Sequence, residues 1–310
     1  MNRKHVPVPL SPGDRVALVA PAGFVKAARL AAEIRYLESL GLKVTTRLPR
    51  KPDRYLSGSD TLRADEFLGY WRDPGIKALF AVRGGFGCAR IAPLLQSRLG
   101  GQAKLFVGFS DNTVIHQVLA GAGTAWSLHG PHPAQFGKPV HPATRRQYEK
   151  LLFGKLEPGA SLGRVKLLYG PGGRTGKPVQ GRLTGGNLAV LASLCGTGCP
   201  PRLGGIVFLE DVNEQAYRLD AFLTQLRLSG AFRGVRALVL GDFSPPAGAR
   251  RYRQSVEELM KSAGAELGVP VWTGFAAGHG RRNLALPLGA EVAVGDGRLQ
   301  LVRPPWGGGR

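Results

Sequence analysis

Short apolar runs alternate with segments of helical spacing through the first half of the chain. Residues 16–20, after Arg15, are apolar and are followed by Pro21, and apolar residues then recur at helical intervals over 25–40. A short apolar run predicts a buried strand, and recurrence every three or four residues predicts one face of a helix. The same patterns predict strands at 42–46, 76–82 and 104–109 and helices at 61–71, 88–96 and 111–119. This alternation predicts an N-terminal α/β domain with a parallel sheet and right-handed crossovers.

The helical patterns stop between residues 157 and 181, where glycine and proline are frequent. We therefore expect an N-terminal domain over residues 1–157, a linker over 158–180 and a smaller C-terminal α/β domain over 181–310. In the second domain the patterns predict helices at 187–194, 214–228 and 255–263, strands at 205–209 and 237–240, and a hairpin over 290–302.

Composition indicates an ordinary globular protein. Of the 310 residues, 43% are hydrophobic and 20% are charged, which argues against a disordered or fibrous chain. Three cysteines are too few for the disulfide framework of a secreted protein. The first 18 residues lack a signal-peptide core, and no stretch approaches the roughly 20 apolar residues that span a bilayer. These features predict a cytoplasmic protein without a membrane span.

The formal net charge of +21 is compatible with three kinds of partner: a nucleic acid, a membrane surface or an anionic small molecule. The cations are scattered, and none of the densest spots is a run of five or more. The chain also lacks zinc-finger spacing, a basic helix joined to heptads and the aromatic-basic strand of RNA-binding domains. We therefore expect no specific nucleic-acid partner and a preference for anionic ligands.

Ser110 stands where a predicted strand ends and a predicted helix begins. A serine at such an elbow presents its hydroxyl at the sheet edge, as nucleophilic serines do. The backbone N–H of Asp111 would lie at the helix N-terminus, where it can stabilise an oxyanion. The match to G-x-S-x-G is partial, because Asn112 replaces the second glycine. Serine is also a preferred helix N-cap, so a structural role for Ser110 is the alternative.

A glycine-rich turn, Arg83-Gly84-Gly85-Phe86-Gly87, follows the strand predicted at 76–82. Glycines allow positive φ and close approach of a ligand, and successive free amides bind negative charge. The turn could supply a second oxyanion donor or cradle a phosphate. It lacks the spacing of the dinucleotide-binding fingerprint, and a purely structural turn is the third interpretation.

Two further positions could carry acid or base chemistry. Glu210 directly ends an apolar strand, and neighbouring Asp211 should face the opposite side because side chains alternate along a strand. Glu214 is expected in the first turn of the helix predicted at 214–228, where the helix N-terminus favours an acidic residue. His279, between two glycines, is a candidate general base, although an ordinary loop histidine would look the same.

Metal ligation is poorly supported by the sequence. His129 and His132 are close in sequence, as are Cys195 and Cys199, but neither pair has a second ligand pair at the spacing of a zinc site. Cys88 is expected to be a small buried residue. We predict no metal and no cofactor.

Seven sequence blocks stand in order along the chain: Arg83–Gly87, Gly108–Asp111, His129–Pro131, Gly185–Leu188, Leu209–Val212, Tyr217-Arg218 and Gly278–Gly289. Together with Val19-Ala20-Pro21 they resemble, from residue 19 to about residue 289, the LD-carboxypeptidase family of serine peptidases, which includes muramoyltetrapeptide carboxypeptidase. Two departures are visible: Phe86 stands where the family often has tyrosine or tryptophan, and Asn112 where an apolar residue is usual.

The resemblance implies a Ser–Glu–His triad. Ser110 matches the family nucleophile, Glu210 the acid and His279 the base. It also implies an oxyanion hole formed by the backbone N–H groups of Asp111 and Gly85. The family's N-terminal domain is doubly wound and carries the serine, its C-terminal domain carries the acid and the base, and the protein is often a homodimer.

The function that the resemblance implies is removal of the terminal D-alanine from peptidoglycan tetrapeptides, that is, from muropeptides, during cell-wall recycling. One alternative is a hydrolase of peptide-nucleotide antibiotics of the microcin-immunity type. Another is a non-catalytic α/β protein that binds a nucleotide or phosphate. A carboxypeptidase must bind a free carboxylate, for which arginine is the natural partner. The candidates are Arg83, Arg218, Arg281 and Arg282.

Overall fold

Two β-sheets, one of six strands and one of eight, organise the chain. The computed structural model of the protein describes residues 6–48, 51–100, 104–137, 140–173, 178–248 and 251–306. Among these residues no helix has the length and apolar character that crossing a membrane requires.

The six-stranded sheet holds most of the first half of the chain. Its strands are β1 (Arg15–Val19), β2 (Lys43–Thr45), β3 (Ile76–Ala81), β4 (Leu105–Gly108), β5 (Ser127–His129) and β12 (Leu286–Leu288). The spatial order is β12-β5-β4-β3-β1-β2, parallel except for β12. The helices of this half are α1 (Ala27–Ser39), α2 (Asp60–Arg72), α3 (Cys88–Arg98), α4 (Thr113–Gly121) and α5 (Pro142–Leu152).

Both faces of this sheet are covered, as expected for a doubly wound domain. In β1, Val16 and Leu18 belong to one buried apolar cluster, whereas Ala17 and Val19 belong to another. Because side chains alternate along a strand, each face of the sheet packs in a different core. The predicted doubly wound α/β architecture is confirmed.

The eight-stranded sheet belongs mainly to the second half. Its strands are β6 (Ser161–Arg164), β7 (Lys166–Tyr169), β8 (Val179–Asn187), β9 (Gly205–Val212), β10 (Val235–Ser244), β11 (Val271–Thr273), β13 (Glu291–Gly295) and β14 (Arg298–Arg303). The order is β6-β14-β13-β8-β9-β10-β11-β7, and the four strands β8 to β11 are parallel. The accompanying helices are α6 (Leu188–Ser193), α7 (Ala216–Leu228) and α8 (Tyr252–Leu267). The predicted hairpin near the end of the chain is present as β13 and β14.

The segment predicted as a linker, residues 158–180, contributes strands to the second sheet. Its strand β6 pairs with β14, and its strand β7 pairs with β11. Leu162 and Val165 of this segment are buried in the core. The glycines and prolines that suggested a linker mark turns between short strands instead. The predicted domain boundaries also differ from the membership of the two sheets. The strand β12 lies late in the chain, but it pairs with β5 and completes the first sheet.

The two sheets meet at the start of α4. The backbone N–H of Asn187 donates to Thr113 Oγ1 at 3.1 Å. A Cβ atom on Gly186 would lie 2.6 Å from the same oxygen, and Gly186 has a φ of +142°. Only glycine therefore allows β8 to approach α4 this closely. The contact fixes the second sheet against the helix that follows Ser110.

We predict that Gly186→Ala lowers the melting temperature by several degrees, because the added methyl group meets both a steric clash and a strained φ. Calorimetry of the variant measures this loss. Gly198→Ala is the matched control, since a Cβ there meets nothing within 4 Å. Equal melting temperatures for the two variants would show that the Thr113 contact does not hold the sheets together.

Candidate active site

Ser110 lies at the carboxyl end of β4, on a sharp turn. Its φ is +63°, in the left-handed region that non-glycine residues seldom occupy. The residue begins a short 3₁₀ turn, Ser110–Asn112, that leads directly into α4. The N-cap of the turn is Phe109 and that of α4 is Asn112, so the structure does not place Ser110 as an N-cap. A strained residue held at a strand-to-helix turn is the geometry of a nucleophile elbow.

The glycine-rich turn lies directly against this serine. A Cβ on Gly84 would be 2.9 Å from Ser110 Cβ and 3.4 Å from the backbone nitrogen of Asp111. Gly85 follows with a φ of +115°. The turn after β3 therefore packs directly against the elbow after β4.

Two side chains after the serine hold the glycine turn in place. Asp111 Oδ2 accepts from the backbone N–H of Cys88 at 2.9 Å, and burial raises the pKa of this carboxyl group. Asn112 Nδ2 donates to the carbonyl of Arg83 at 3.2 Å. Asn112, a departure from the family pattern, thus links the elbow to the turn.

Glu210 and Asp211 occupy β9 and face opposite sides, as alternation predicts. The side chain of Glu210 is completely buried. Asp211 accepts from Asn187 Nδ2 at 3.2 Å and from the backbone N–H of Ala189 at 2.9 Å, so it stabilises the first turn of α6 and its N-cap, Asn187. Glu214 pairs with Arg218 and is not among the carboxylates that raise the pKa of His279.

Hydrogen bonds to Asn283 and Asp242 hold the loop in place on either side of His279. The Gly278 N–H donates to Asn283 Oδ1 at 3.0 Å, and the Gly280 N–H donates to Asp242 Oδ2 at 3.2 Å. A Cβ on Gly278 would lie 2.9 Å from Glu210 Oε2. Glycine is therefore required for the loop to reach the buried acid.

A chain of hydrogen bonds connects the two sheets through His279. Its Nδ1 lies 2.7 Å from Glu210 Oε2, and its Nε2 lies 3.2 Å from Ser110 Oγ. A carboxylate only accepts, so Nδ1–H donates to Glu210, and Nε2 of the neutral ring is the acceptor for the serine hydroxyl. The imidazole also packs against Phe109, with ring centroids 5.0 Å apart.

Carboxylates behind His279 favour its charged form. Burial lowers the pKa of His279, but its hydrogen bond to Glu210 and the charges of Glu210, Asp211 and Asp242 outweigh burial, so the pKa lies above 6.5. A general base whose cation is stabilised in this way can accept a proton from a hydroxyl group.

A cavity of about 780 Å³ opens in front of Ser110 and His279. Arg83 and Arg281, two of the arginines predicted from the sequence, line it, and so does Arg29 of α1. Arg282 borders a neighbouring depression instead. Arg218 also lies elsewhere: it pairs with Glu214 one helical turn away and stacks over Phe222.

Comparison with known proteins identifies the family. Residues 16–130 match the LD-carboxypeptidase N-terminal domain, and residues 180–294 match the LD-carboxypeptidase C-terminal domain. The chain belongs to the LD-carboxypeptidase family. The predicted resemblance is confirmed.

Relatives within the family carry names that describe two different functions. The chain is 34% identical to the murein tetrapeptide carboxypeptidase of Pseudomonas aeruginosa, over 92% of this chain and 94% of the relative. It is 26% identical to the microcin C7 self-immunity protein of Escherichia coli, over 92% of each. The crystal structure of muramoyltetrapeptide carboxypeptidase from Oxalobacter formigenes matches with a TM-score of 0.75 and 29% identity, covering 93% of this chain and 97% of that one.

Sequence reasoning missed two residues of this LD-carboxypeptidase site. Asp242 lies two residues beyond the strand predicted at 237–240, so the rule that selected Glu210, an acid where an apolar strand ends, could have selected it too. Arg29 gave no comparable signal, because a basic residue on a helix is ordinarily a solvated one.

The side chains of the two candidate metal-ligand pairs, His129/His132 and Cys195/Cys199, contact other groups of the protein. His132 Nδ1 donates to the carbonyl of Ala81 at 2.7 Å, and His129 is buried among aromatic rings. Cys195 Sγ lies 3.2 Å from Ser229 Oγ. Within the described ranges, no group of three or more His, Cys, Asp or Glu side chains could hold a metal ion.

We predict that Glu210→Gln lowers the pKa of His279, because the hydrogen-bonded negative charge that offsets burial is removed. Titration of the ¹⁵N-labelled imidazole by NMR measures the shift. Glu214→Gln is the control and should leave the histidine unchanged, since Glu214 pairs with Arg218. An unchanged pKa in Glu210→Gln would refute the assignment of Glu210 as the partner of His279.

Proposed function

We propose that this protein is a serine carboxypeptidase that hydrolyses the L,D-peptide bond to the terminal D-alanine of muramoyl tetrapeptides. The observation that carries the proposal is the hydrogen-bonded chain from Ser110 through His279 to Glu210. Relatives named as murein tetrapeptide carboxypeptidases support the choice of substrate. We further propose that the reaction takes place in the cytoplasm, during cell-wall recycling, and that the enzyme is a homodimer.

In the proposed mechanism, His279 Nε2 takes the proton of Ser110 as Oγ attacks the peptide carbonyl carbon. The carbonyl oxygen becomes an oxyanion, which accepts hydrogen bonds from the backbone N–H groups of Asp111 and Gly85. His279 then gives the proton to the leaving nitrogen, and D-alanine departs. A water molecule, deprotonated by the same histidine, hydrolyses the acyl-enzyme and restores the serine.

Glu210 is proposed to hold the imidazole and to stabilise its cation. Its burial prevents solvent from competing for the Nδ1 proton, and its position in β9 fixes the direction of the hydrogen bond. Loss of such an acid lowers kcat by up to about 10⁴ in a serine protease. The carboxylate therefore acts through the histidine and has no need to touch the substrate.

A second candidate function is hydrolysis of a peptide-nucleotide antibiotic. The observation in its favour is the 26% identity to the microcin C7 self-immunity protein over nearly the whole chain. The same Ser–His–Glu chemistry would serve both substrates, because each contains an acyl group joined to a leaving group. The higher identity to the murein tetrapeptide carboxypeptidase favours the muropeptide.

We predict that the purified protein releases D-alanine from muramoyl tetrapeptide and that Ser110→Ala abolishes this release with little change in melting temperature. The serine hydroxyl contributes to the transition state, and its partner in the structure is His279. Chromatography of the products and a thermal scan give the two measurements.

Three other outcomes would overturn the proposal. Cleavage of an aminoacyl-nucleotide alone would indicate the antibiotic hydrolase, and tight phosphate binding without turnover would indicate a non-catalytic protein. A Ser110→Ala variant that keeps its activity but melts several degrees lower would indicate a structural serine.

A further inference from the structure

The cavity beside Ser110 is positively charged. Arg29, Arg83 and Arg281 line it, and none of the described residues that line it is an aspartate or glutamate. Cations gathered on one concave surface without a neutralising acid repel each other and attract an anion. The cavity therefore favours a negatively charged part of a ligand.

Arg83 holds its guanidinium next to the glycine turn. Its Nη1 donates to the carbonyl of Phe24 at 3.0 Å, which fixes the group. Its Nη2 lies 3.8 Å from the position that a Cβ on Gly85 would take. Burial, and then the charge of Arg29, lower the pKa of Arg83. The two cations are thus close enough to influence each other.

Arg29 is not neutralised by the acid beneath it. Its Nε lies 3.5 Å from Glu33 Oε1, and the Glu33 side chain is fully buried. Burial raises the pKa of Glu33 to about 8 against the lowering effect of Arg29, so the carboxyl group is mostly protonated at neutral pH. Burial lowers the pKa of His132 most, and the charges of Arg29 and Arg83 lower it further. Both arginines therefore lie near this one side chain.

We propose that Arg29 and Arg83 together bind the C-terminal carboxylate of the peptide substrate. The inference rests on the proposed carboxypeptidase function. When one residue follows the scissile bond, the carboxylate carbon lies within about 4 Å of the carbonyl carbon that Ser110 attacks. A guanidinium that binds it must lie next to the serine and the glycine turn, where Arg83 is. Its planar group offers the paired donors that a carboxylate accepts.

The test compares muramoyl tetrapeptide with the same peptide ending in a carboxamide, which has no terminal charge. Arg29→Gln and Arg83→Lys are the variants, and thermal scans confirm that each is folded. Arg35→Gln is the matched control, because it removes the same charge from an exposed position on α1 outside the cavity. D-alanine is measured for the acid, and D-alaninamide for the amide.

The wild type should prefer the acid. Each cavity variant should lower kcat/KM for the acid about 10- to 100-fold and leave the amide nearly unchanged, while Arg35→Gln keeps the preference. Equal losses for the two substrates, or a wild type without preference, would overturn the assignment although the carboxypeptidase activity is present. Release of neither product by the wild type would overturn the proposed function, and the assignment with it.

Discussion

The contact between Thr113 and the Gly186–Asn187 backbone joins the two halves of the molecule beside the elbow that carries Ser110. Thr113 is three residues after Ser110, and Asn187 is the register partner of Glu210 on the neighbouring strand. One hydrogen bond and one close approach thus connect the elbow to the strand that carries the acid. Because His279 must reach Ser110 and Glu210 at the same time, a shift of either sheet would break one of its two hydrogen bonds.

Charge is separated across the site. Glu210 and Asp242 lie behind His279, where they raise its pKa, whereas Arg29 and Arg83 lie in the cavity in front of Ser110. Negative charge therefore stabilises the imidazolium on one side, and positive charge is available to a substrate anion on the other. This local arrangement of cations, in a chain of net charge +21, agrees with the expectation of an anionic ligand and requires no nucleic acid.

The sequence predicted those parts of the molecule that local patterns determine. Apolar runs indicated β4 and β9, and the rule that polar groups gather where parallel strands end selected Ser110 and Glu210. The strand β6 has a single apolar side chain, Leu162, and Pro287 interrupts β12, so neither forms an apolar run, and their pairing depends on distant partners. The place of Arg29 likewise depends on how α1 packs against the sheet, so no local signal could separate it from Arg218.

The proposed mechanism depends on acylation of Ser110, which rapid acid quenching of the enzyme during turnover of muramoyl tetrapeptide can detect. Intact-mass measurement and peptide mapping then locate the adduct. We expect an added mass equal to the muramoyl tripeptide acyl group, carried on the peptide that contains Ser110, together with free D-alanine. D-alanine release with the adduct on a different residue, or with Ser110 never modified at any quench time, would contradict it.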